Sequence, residues 1–135
     1  RDDIRKAQAE TDQNALQSTD RHVFEKTLQD FVASSPSNLW ASVIDTNGVI
    51  IACSEVLSDL SEIAPVIVKS VTAFVNSYPG GAPERVIVED GERTLGLMSV
   101  DKKRVLVTVV KPDTKIGLMC IAMGRLMESV CKKEQ

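Results

Sequence analysis

Histidine, a common metal ligand and general base, is almost absent from this sequence of 135 residues. The sequence has one histidine, His22, and its acidic residues form no pair with a recognisable catalytic spacing. Gly80-Gly81 lacks both the following Gly-Lys-Ser/Thr and the GxGxxG spacing that a phosphate-binding loop needs. We therefore expect no enzymatic activity and no catalytic, cofactor-binding or metal-binding residues.

The three cysteines, Cys53, Cys120 and Cys131, form neither a disulfide framework nor a zinc site, because their number is odd and no CxxC spacing occurs. All three lie in apolar segments, and we interpret them as reduced, buried, small hydrophobic residues. A cysteine-dependent enzyme is an alternative, and it would require an accessible, activated thiolate.

Excess positive charge and long apolar runs are also absent. The formal net charge is −3, whereas nucleic-acid-binding surfaces are usually basic, so we expect no nucleic-acid partner. No apolar stretch reaches the roughly 18 residues of a membrane span, and no signal peptide is visible, so we expect a cytoplasmic protein. The small basic cluster at residues 102–104 falls in a predicted turn, and we interpret it as solvated rather than as a contact for lipid headgroups or an acidic partner.

The most informative segment is a predicted β-hairpin. Two apolar runs, Leu39 to Ile44 and Val49 to Cys53, flank Asp45-Thr46-Asn47-Gly48, and Asn-Gly accepts the positive φ of a tight turn. Neither run alternates between apolar and polar residues, so we expect both faces of the hairpin to be covered. Aromatic residues make up only 4% of the chain, so the core is predicted to be mostly aliphatic.

Helical periodicity begins at Asp20, after a polar N-terminal extension at residues 1–19. A second helix is predicted over 57–77, with a kink or a new start near Ser61 caused by Pro65. Its core face is predicted to be Leu60, Ala64, Ile67, Val71 and Phe74. The remaining apolar residues, Val66, Val68, Ala73 and Val75, indicate either a second contact surface or a deeply buried helix.

Three strands are predicted after the second helix, at 84–90, 93–100 and 104–110, followed by a helix that ends near Cys131. The first of these strands alternates and is charged, which is typical of an edge, and the last is almost wholly apolar, which indicates a central strand. Asp113 or Thr114 is the predicted cap of the closing helix, and Gly117 and Gly124 are predicted to approach the sheet closely.

The predicted order is α-β-β-α-β-β-β-α, in one domain over residues 20–135. Because the links are short, the strands pair antiparallel. The expected fold class is α/β, of the α+β kind: a five-stranded antiparallel sheet with helices on both faces.

This order of elements resembles the roadblock / dynein light-chain family over residues 20–131. The hairpin ASVIDTNGVIIAC (41–53) resembles the family's pattern of apolar strand, Asp or Ser, any residue, Asn/Asp-Gly, apolar strand and small residue. The run KPDTKIGLMCIAMGRLMES (111–129) looks like the family's link from the last strand into its final helix. The resemblance implies a roadblock-like fold, which profilin and longin domains share in part.

The resemblance also implies a non-enzymatic scaffold. Such domains form homodimers or heterodimers by pairing their central helices and third strands, and the paired helices form a platform for Ras-like small GTPases or join larger complexes. The expected partners are therefore a second copy or a roadblock-like paralogue, and a Ras-like small GTPase. The expected interface comprises one ridge of the second helix and the third strand: Val66, Lys69, Ser70, Ala73 and Asn76, with Arg85, Ile87 and Glu89.

A small-molecule sensor domain is the main alternative, since a helix-covered antiparallel sheet also suits that function. A sensor should hold polar groups inside an apolar pocket, whereas the predicted core is almost purely aliphatic. Three questions stay open at this point: whether the dimer is homomeric or heteromeric, which GTPase or complex is involved, and whether the domain stimulates hydrolysis, promotes exchange or only tethers.

Overall fold

The computed structural model describes residues 22–56, 58–80 and 83–133. The predicted extension at 1–19 lies outside the described residues. Within them, the elements follow the predicted order α-β-β-α-β-β-β-α. Their bounds are α1 at 22–33, β1 Asn38–Asp45, β2 Ile50–Cys53, α2 Ser58–Ser77, β3 Arg85–Glu89, β4 Thr94–Ser99, β5 Arg104–Val110 and α3 Ile116–Lys133.

The five strands form one antiparallel sheet with the order β2-β1-β5-β4-β3. The apolar strand β5 lies at its centre, paired with β1 on one side and β4 on the other. The charged strand β3 lies at an edge, where it pairs only with β4 among the described residues. The predicted positions of both strands are therefore confirmed.

The β1–β2 hairpin closes through Asp45, whose side chain organises the turn. Its Oδ1 accepts hydrogen bonds from the backbone N–H groups of Asn47 and Val49, both at 2.9 Å. Within this connection only Gly48 has a positive φ, of 87°. The connection is therefore a turn followed by one left-handed glycine, and not a two-residue Asn-Gly turn with both φ values positive.

An aspartate side chain also organises each of the other two hairpin connections. Asp90 Oδ1 accepts from the N–H of Arg93, and Asp101 Oδ1 accepts from the N–H of Arg104, each at 2.9 Å. An aspartate at the first turn position satisfies backbone donors that the strands leave unpaired. Three aspartates thus set the three hairpin connections and the register of the strands that they join.

Helices cover both faces of the sheet, as predicted. On one face α2 packs over side chains of β1, β3, β4 and β5, and on the other α1 and α3 pack together. Trp40 is fully buried under α2, and its indole Nε1 donates to the Glu55 carbonyl oxygen at 2.6 Å.

The expected core face of α2 is wrong in part. The helix runs continuously from Ser58 to Ser77 through Pro65, so of the predicted kink or new start the new start is excluded. Its buried residues include Val68, which was placed off the core face, while Phe74, which was placed on it, is exposed.

Close approach of a helix to the sheet occurs at Gly96 of β4 and not at the predicted glycines of α3. A Cβ at Gly96 would lie 2.5 Å from the Met123 sulfur, whereas a Cβ at Gly117 or Gly124 would meet nothing within 4 Å. The predicted cap Thr114 is also not confirmed, because its buried hydroxyl has no hydrogen-bond partner.

Candidate interaction surface

The outward face of α2 exposes large apolar side chains. Ile63 is 44% exposed, Val66 63% and Phe74 59%. Together with exposed Ala73, they recur at the spacing of one helical stripe, on the side away from the buried residues of α2. An apolar stripe on a helix that already has a core-facing stripe is typical of a protein–protein contact. The second contact surface is thus the alternative that fits α2, since a deeply buried helix would not expose these residues.

All five residues of the predicted ridge on α2 are exposed: Val66, Lys69, Ser70, Ala73 and Asn76. Two of them are already engaged within the domain. The Ser70 hydroxyl donates to the Val66 carbonyl oxygen at 2.9 Å, and the stem of Lys69 lies over Gly48 of the β1–β2 turn. Val66 and Ala73 are therefore the ridge positions with the freest apolar surface.

Three exposed apolar residues near the predicted ridge were not included in the predicted interface: Ile63, Phe74 and Tyr78. The rings of Phe74 and Tyr78 lie with their centroids 5.8 Å apart at the C-terminal end of α2. Their i, i+4 spacing was a usable signal, because such pairs meet on one helix face. We define the α2 face as the exposed set Ile63, Val66, Ala73, Phe74 and Tyr78.

The predicted interface residues of β3 lie on the face of the sheet opposite to α2. Ile87 packs toward Met119 and Met123 of α3, whereas Val86 and Val88 pack into the core beneath α2. Because side chains alternate along a strand, residues 85, 87 and 89 all face the α3 side. The structure therefore places the two predicted sets on opposite faces of the sheet, with the ridge on α2 and the β3 residues on the α3 side.

The charges near β3 are mostly paired at close range. Arg85 lies 3.6 Å from the Glu84 carboxylate, and Glu89 is exposed. Arg93, just after the β3–β4 turn, forms a 2.8 Å ion pair with Asp59 in the first turn of α2. The hydrogen bond from Arg93 lowers the pKa of the Asp59 carboxyl. This ion pair joins the N-terminal end of α2 to the sheet.

The groups considered for catalysis are dispersed. His22 is exposed on α1, and the three cysteines are half-buried, not buried as expected. Within residues 22–56, 58–80 and 83–133, no three His, Cys, Asp or Glu side chains are grouped so that they could hold a metal ion. The same part of the chain contains no helix that is both long and apolar enough to cross a membrane.

The sequence matches no protein-family model and no curated protein. Structural comparison does find similar folds. A Roadblock/LC7 domain from Streptomyces avermitilis superposes with a TM-score of 0.69 at 14% identity, covering 80% of this chain and 94% of that one. Myxococcus xanthus MglB gives 0.70 at 16%, covering 82% and 86%. Another MglB structure, with a tetrameric arrangement, gives 0.68 at 15%, covering 84% and 89%.

Profilins are also similar, but less so. Acanthamoeba castellanii profilin IA superposes with a TM-score of 0.59 at 10% identity, covering 83% of this chain and 99% of that one. The fold is thus of the class that roadblock domains and profilins share. Within that class, the chain has a roadblock-like fold. At sequence identities this low, the structural similarity establishes the fold alone. An argument about function must therefore rest on the surface chemistry of this chain.

Proposed function

We propose that this domain is a non-enzymatic scaffold or regulator that dimerises through the α2 face and the β3 edge and binds a Ras-like small GTPase. The observation that carries the proposal is the exposed apolar stripe of α2, on a helix that packs over β3, an edge strand that pairs only with β4 among the described residues.

The two features suit one interface. Val86 and Val88 of β3 pack into the core beneath α2, so the edge strand and the helix lie on neighbouring parts of the domain. A second copy that pairs antiparallel with β3 continues the sheet and brings its own α2 alongside. Such an arrangement has the two-fold symmetry of most homodimers, with the same patch on both subunits. The tetrameric arrangement of one MglB structure supports self-association of this fold.

The proposal that the domain acts by shape rests on the dispersion of its reactive side chains. His22 lies on α1, on the opposite side of the sheet from α2. A general base is usually held in position by a second polar group, and no polar residue of the α2 face is held in this way. The GTPase itself would then supply the catalytic residues, and this domain would hold it or bias its conformation.

Light scattering coupled to size-exclusion chromatography tests the dimer. At tens of micromolar, a range suited to a specific homodimer, we expect about twice the mass of one chain. A monomer at this concentration would contradict the homodimer, and co-expression with roadblock-like paralogues would then test the heterodimer.

Binding to a GTPase is tested with Ala73→Glu, which places a charge in the α2 face. Ala33→Glu is the matched control, because Ala33 is an exposed helical alanine at the end of α1 on the other side of the sheet. Small GTPases of the source cell, purified and loaded with GDP or GTP, are passed over the immobilised wild type and both variants. Circular dichroism of each variant reports whether the fold is retained.

We expect Ala73→Glu to remain folded and to lose dimerisation, GTPase binding or both, while Ala33→Glu behaves as the wild type does. GTPase binding that persists in Ala73→Glu would mean that the GTPase contacts another surface of the domain. If no GTPase binds in either nucleotide state, the proposed function is wrong. Turnover of GTP by the purified domain alone would overturn its non-enzymatic character.

A further inference from the structure

A cavity of about 550 Å³ lies between the C-terminal half of α2 and the strands β3, β4 and β5. This volume is within the range of roughly 300–1,000 Å³ that is usual for small-molecule sites. The cavity opens beside the β4–β5 turn. None of its lining residues belongs to the α2 face, although Asn76 of the predicted ridge lines it.

The walls of the cavity are mostly apolar, although the neutral polar residues Thr46, Thr72, Asn76 and Ser99 also line it. Val71 and Val75 contribute from α2, and Val86, Leu97 and Val105 contribute from three neighbouring strands. Four of these five residues are valines, whose branched side chains have few rotamers and cannot swing inward to fill the space. The sides of these residues that line the cavity gain dispersion contacts when it is filled, so an apolar occupant would stabilise this part of the domain.

The mouth of the cavity carries an unmatched positive charge. Lys102 borders it, and no ion pair among the described residues involves Lys102. Its neighbour Asp101 is held by Arg104, with carboxylate-to-guanidinium distances of 2.9 and 2.7 Å. On the other side of the mouth, Glu84 lies 3.6 Å from Arg85. The two nearby carboxylates therefore have their own cations, whereas the Lys102 ammonium has no anionic partner within the described part of the chain.

We propose that this cavity binds a free, single-chain fatty carboxylate, with the alkyl chain between α2 and the sheet and the carboxylate at Lys102. The aliphatic walls select the chain, and the ammonium selects a negative head group over a neutral or positive one. Because α2 forms one wall, the bound chain would also fix the C-terminal half of the helix that carries the α2 face.

Isothermal titration calorimetry on the whole chain tests the proposal with hexanoate, octanoate and decanoate, each below its micellar concentration. Burial of the chain predicts that each added methylene tightens binding by about fourfold until the cavity is full. Decylamine, which has the same chain and the opposite charge, should bind at least about tenfold more weakly than decanoate.

Two variants locate the site. Lys102→Ala should weaken decanoate binding by about tenfold, while Lys103→Ala, on the same turn but away from the cavity lining, should leave it unchanged. Val86→Phe fills the cavity from the edge strand and should abolish binding. If Val86→Phe does not fold, Thr72→Phe from the α2 side gives the same test.

The proposal is overturned if decanoate shows no saturable one-to-one binding, if decylamine binds equally well, or if both cavity-filling variants bind as the wild type does. Binding of the protein to vesicles of anionic phospholipid is measured as well. Binding to these vesicles without binding to decanoate would mean that the basic turn at 101–104 contacts a lipid surface, and would contradict a site for a free fatty acid.

Discussion

The aliphatic stem of Lys69 lies directly over Gly48. A Cβ placed on Gly48 would be 2.8 Å from Lys69 Cδ and 3.5 Å from the carbonyl oxygen of Pro65. The tip of the β1–β2 hairpin is therefore in contact with the middle of α2. Because Gly48 also has a φ of 87°, two independent constraints act on one residue.

Substituting Gly48 by alanine should destabilise the domain for both reasons. The left-handed backbone costs about 1–2 kcal/mol for a residue with a Cβ, and the contact with Lys69 adds to it. Gly91 is a matched control, because its φ is 84° but a Cβ there would meet nothing within 4 Å. We expect Gly91→Ala to lower the free energy of unfolding by the backbone cost alone and Gly48→Ala to lower it further, as measured by urea denaturation.

A double-mutant cycle separates the two contributions at Gly48. In the Lys69→Ala background, Gly48→Ala should cost no more than Gly91→Ala does in the wild type, because the side chain that the new Cβ meets is gone. An undiminished cost in that background would show that the contact with Lys69 contributes nothing.

Two other glycines should respond to alanine in opposite directions. At Gly96 the new Cβ would lie 2.5 Å from Met123 Sδ and 2.7 Å from Met119 Cε, so Gly96→Ala overpacks the α3 side of the sheet and should cost about 1–3 kcal/mol. At Gly124 the space is open, and Gly124→Ala should stabilise α3 by about 0.5–1 kcal/mol through helix propensity. Thermal denaturation of both variants checks the pair, and equal signs would contradict this account of the packing.

The element order and the positions of β3 and β5 could be predicted from sequence because they depend on local signals. Turn residues follow each apolar run, and Asp45, Asp90 and Asp101 each begin a hairpin connection by accepting backbone hydrogen bonds. The short links then force antiparallel pairing. Burial of β5 follows from its nearly unbroken apolar run, which suits a strand covered on both faces.

The orientation of α2 could not be predicted from its sequence, because the helix has apolar residues on two sides. Val68 and Phe74 are both apolar, and only the position of the sheet decides that the first is buried and the second exposed. The close contact between Gly96 and α3 could not be predicted from the sequence for a related reason. A glycine in a strand shows only that space is needed, and the methionines that occupy that space come from α3, more than 20 residues later.

Acid should weaken the ion pair between Asp59 and Arg93, which attaches α2 to the sheet. The Arg93 hydrogen bond lowers the pKa of Asp59 in the folded state, so the ionised form contributes stability at neutral pH. A carboxyl with a lowered folded-state pKa keeps this contribution above its unfolded-state value, about 4, and loses it as the pH falls through the folded-state value. The melting temperature of the wild type should therefore exceed that of Asp59→Asn above about pH 5, and the difference should vanish in stronger acid.

Asp30→Asn is the control for this pH profile, because Asp30 is exposed on α1 and no ion pair among the described residues involves it. Its melting temperature should follow that of the wild type across the same range. A constant difference between Asp59→Asn and the wild type at every pH would mean that the Asp59 charge is not responsible.

Exchanging two charges on β3 tests the proposed dimer at its strand edge. Antiparallel pairing about Ile87 sets Arg85 opposite Glu89 of the second copy, and the symmetry repeats the pair. Arg85→Glu converts both pairs into repulsions and should weaken dimerisation on the order of tenfold. The double variant Arg85→Glu with Glu89→Arg restores opposite charges and should recover dimerisation, as measured by analytical ultracentrifugation. A double variant that stays as weak as the single one would exclude this register, because lost packing at Arg85 is not recovered by a charge at position 89.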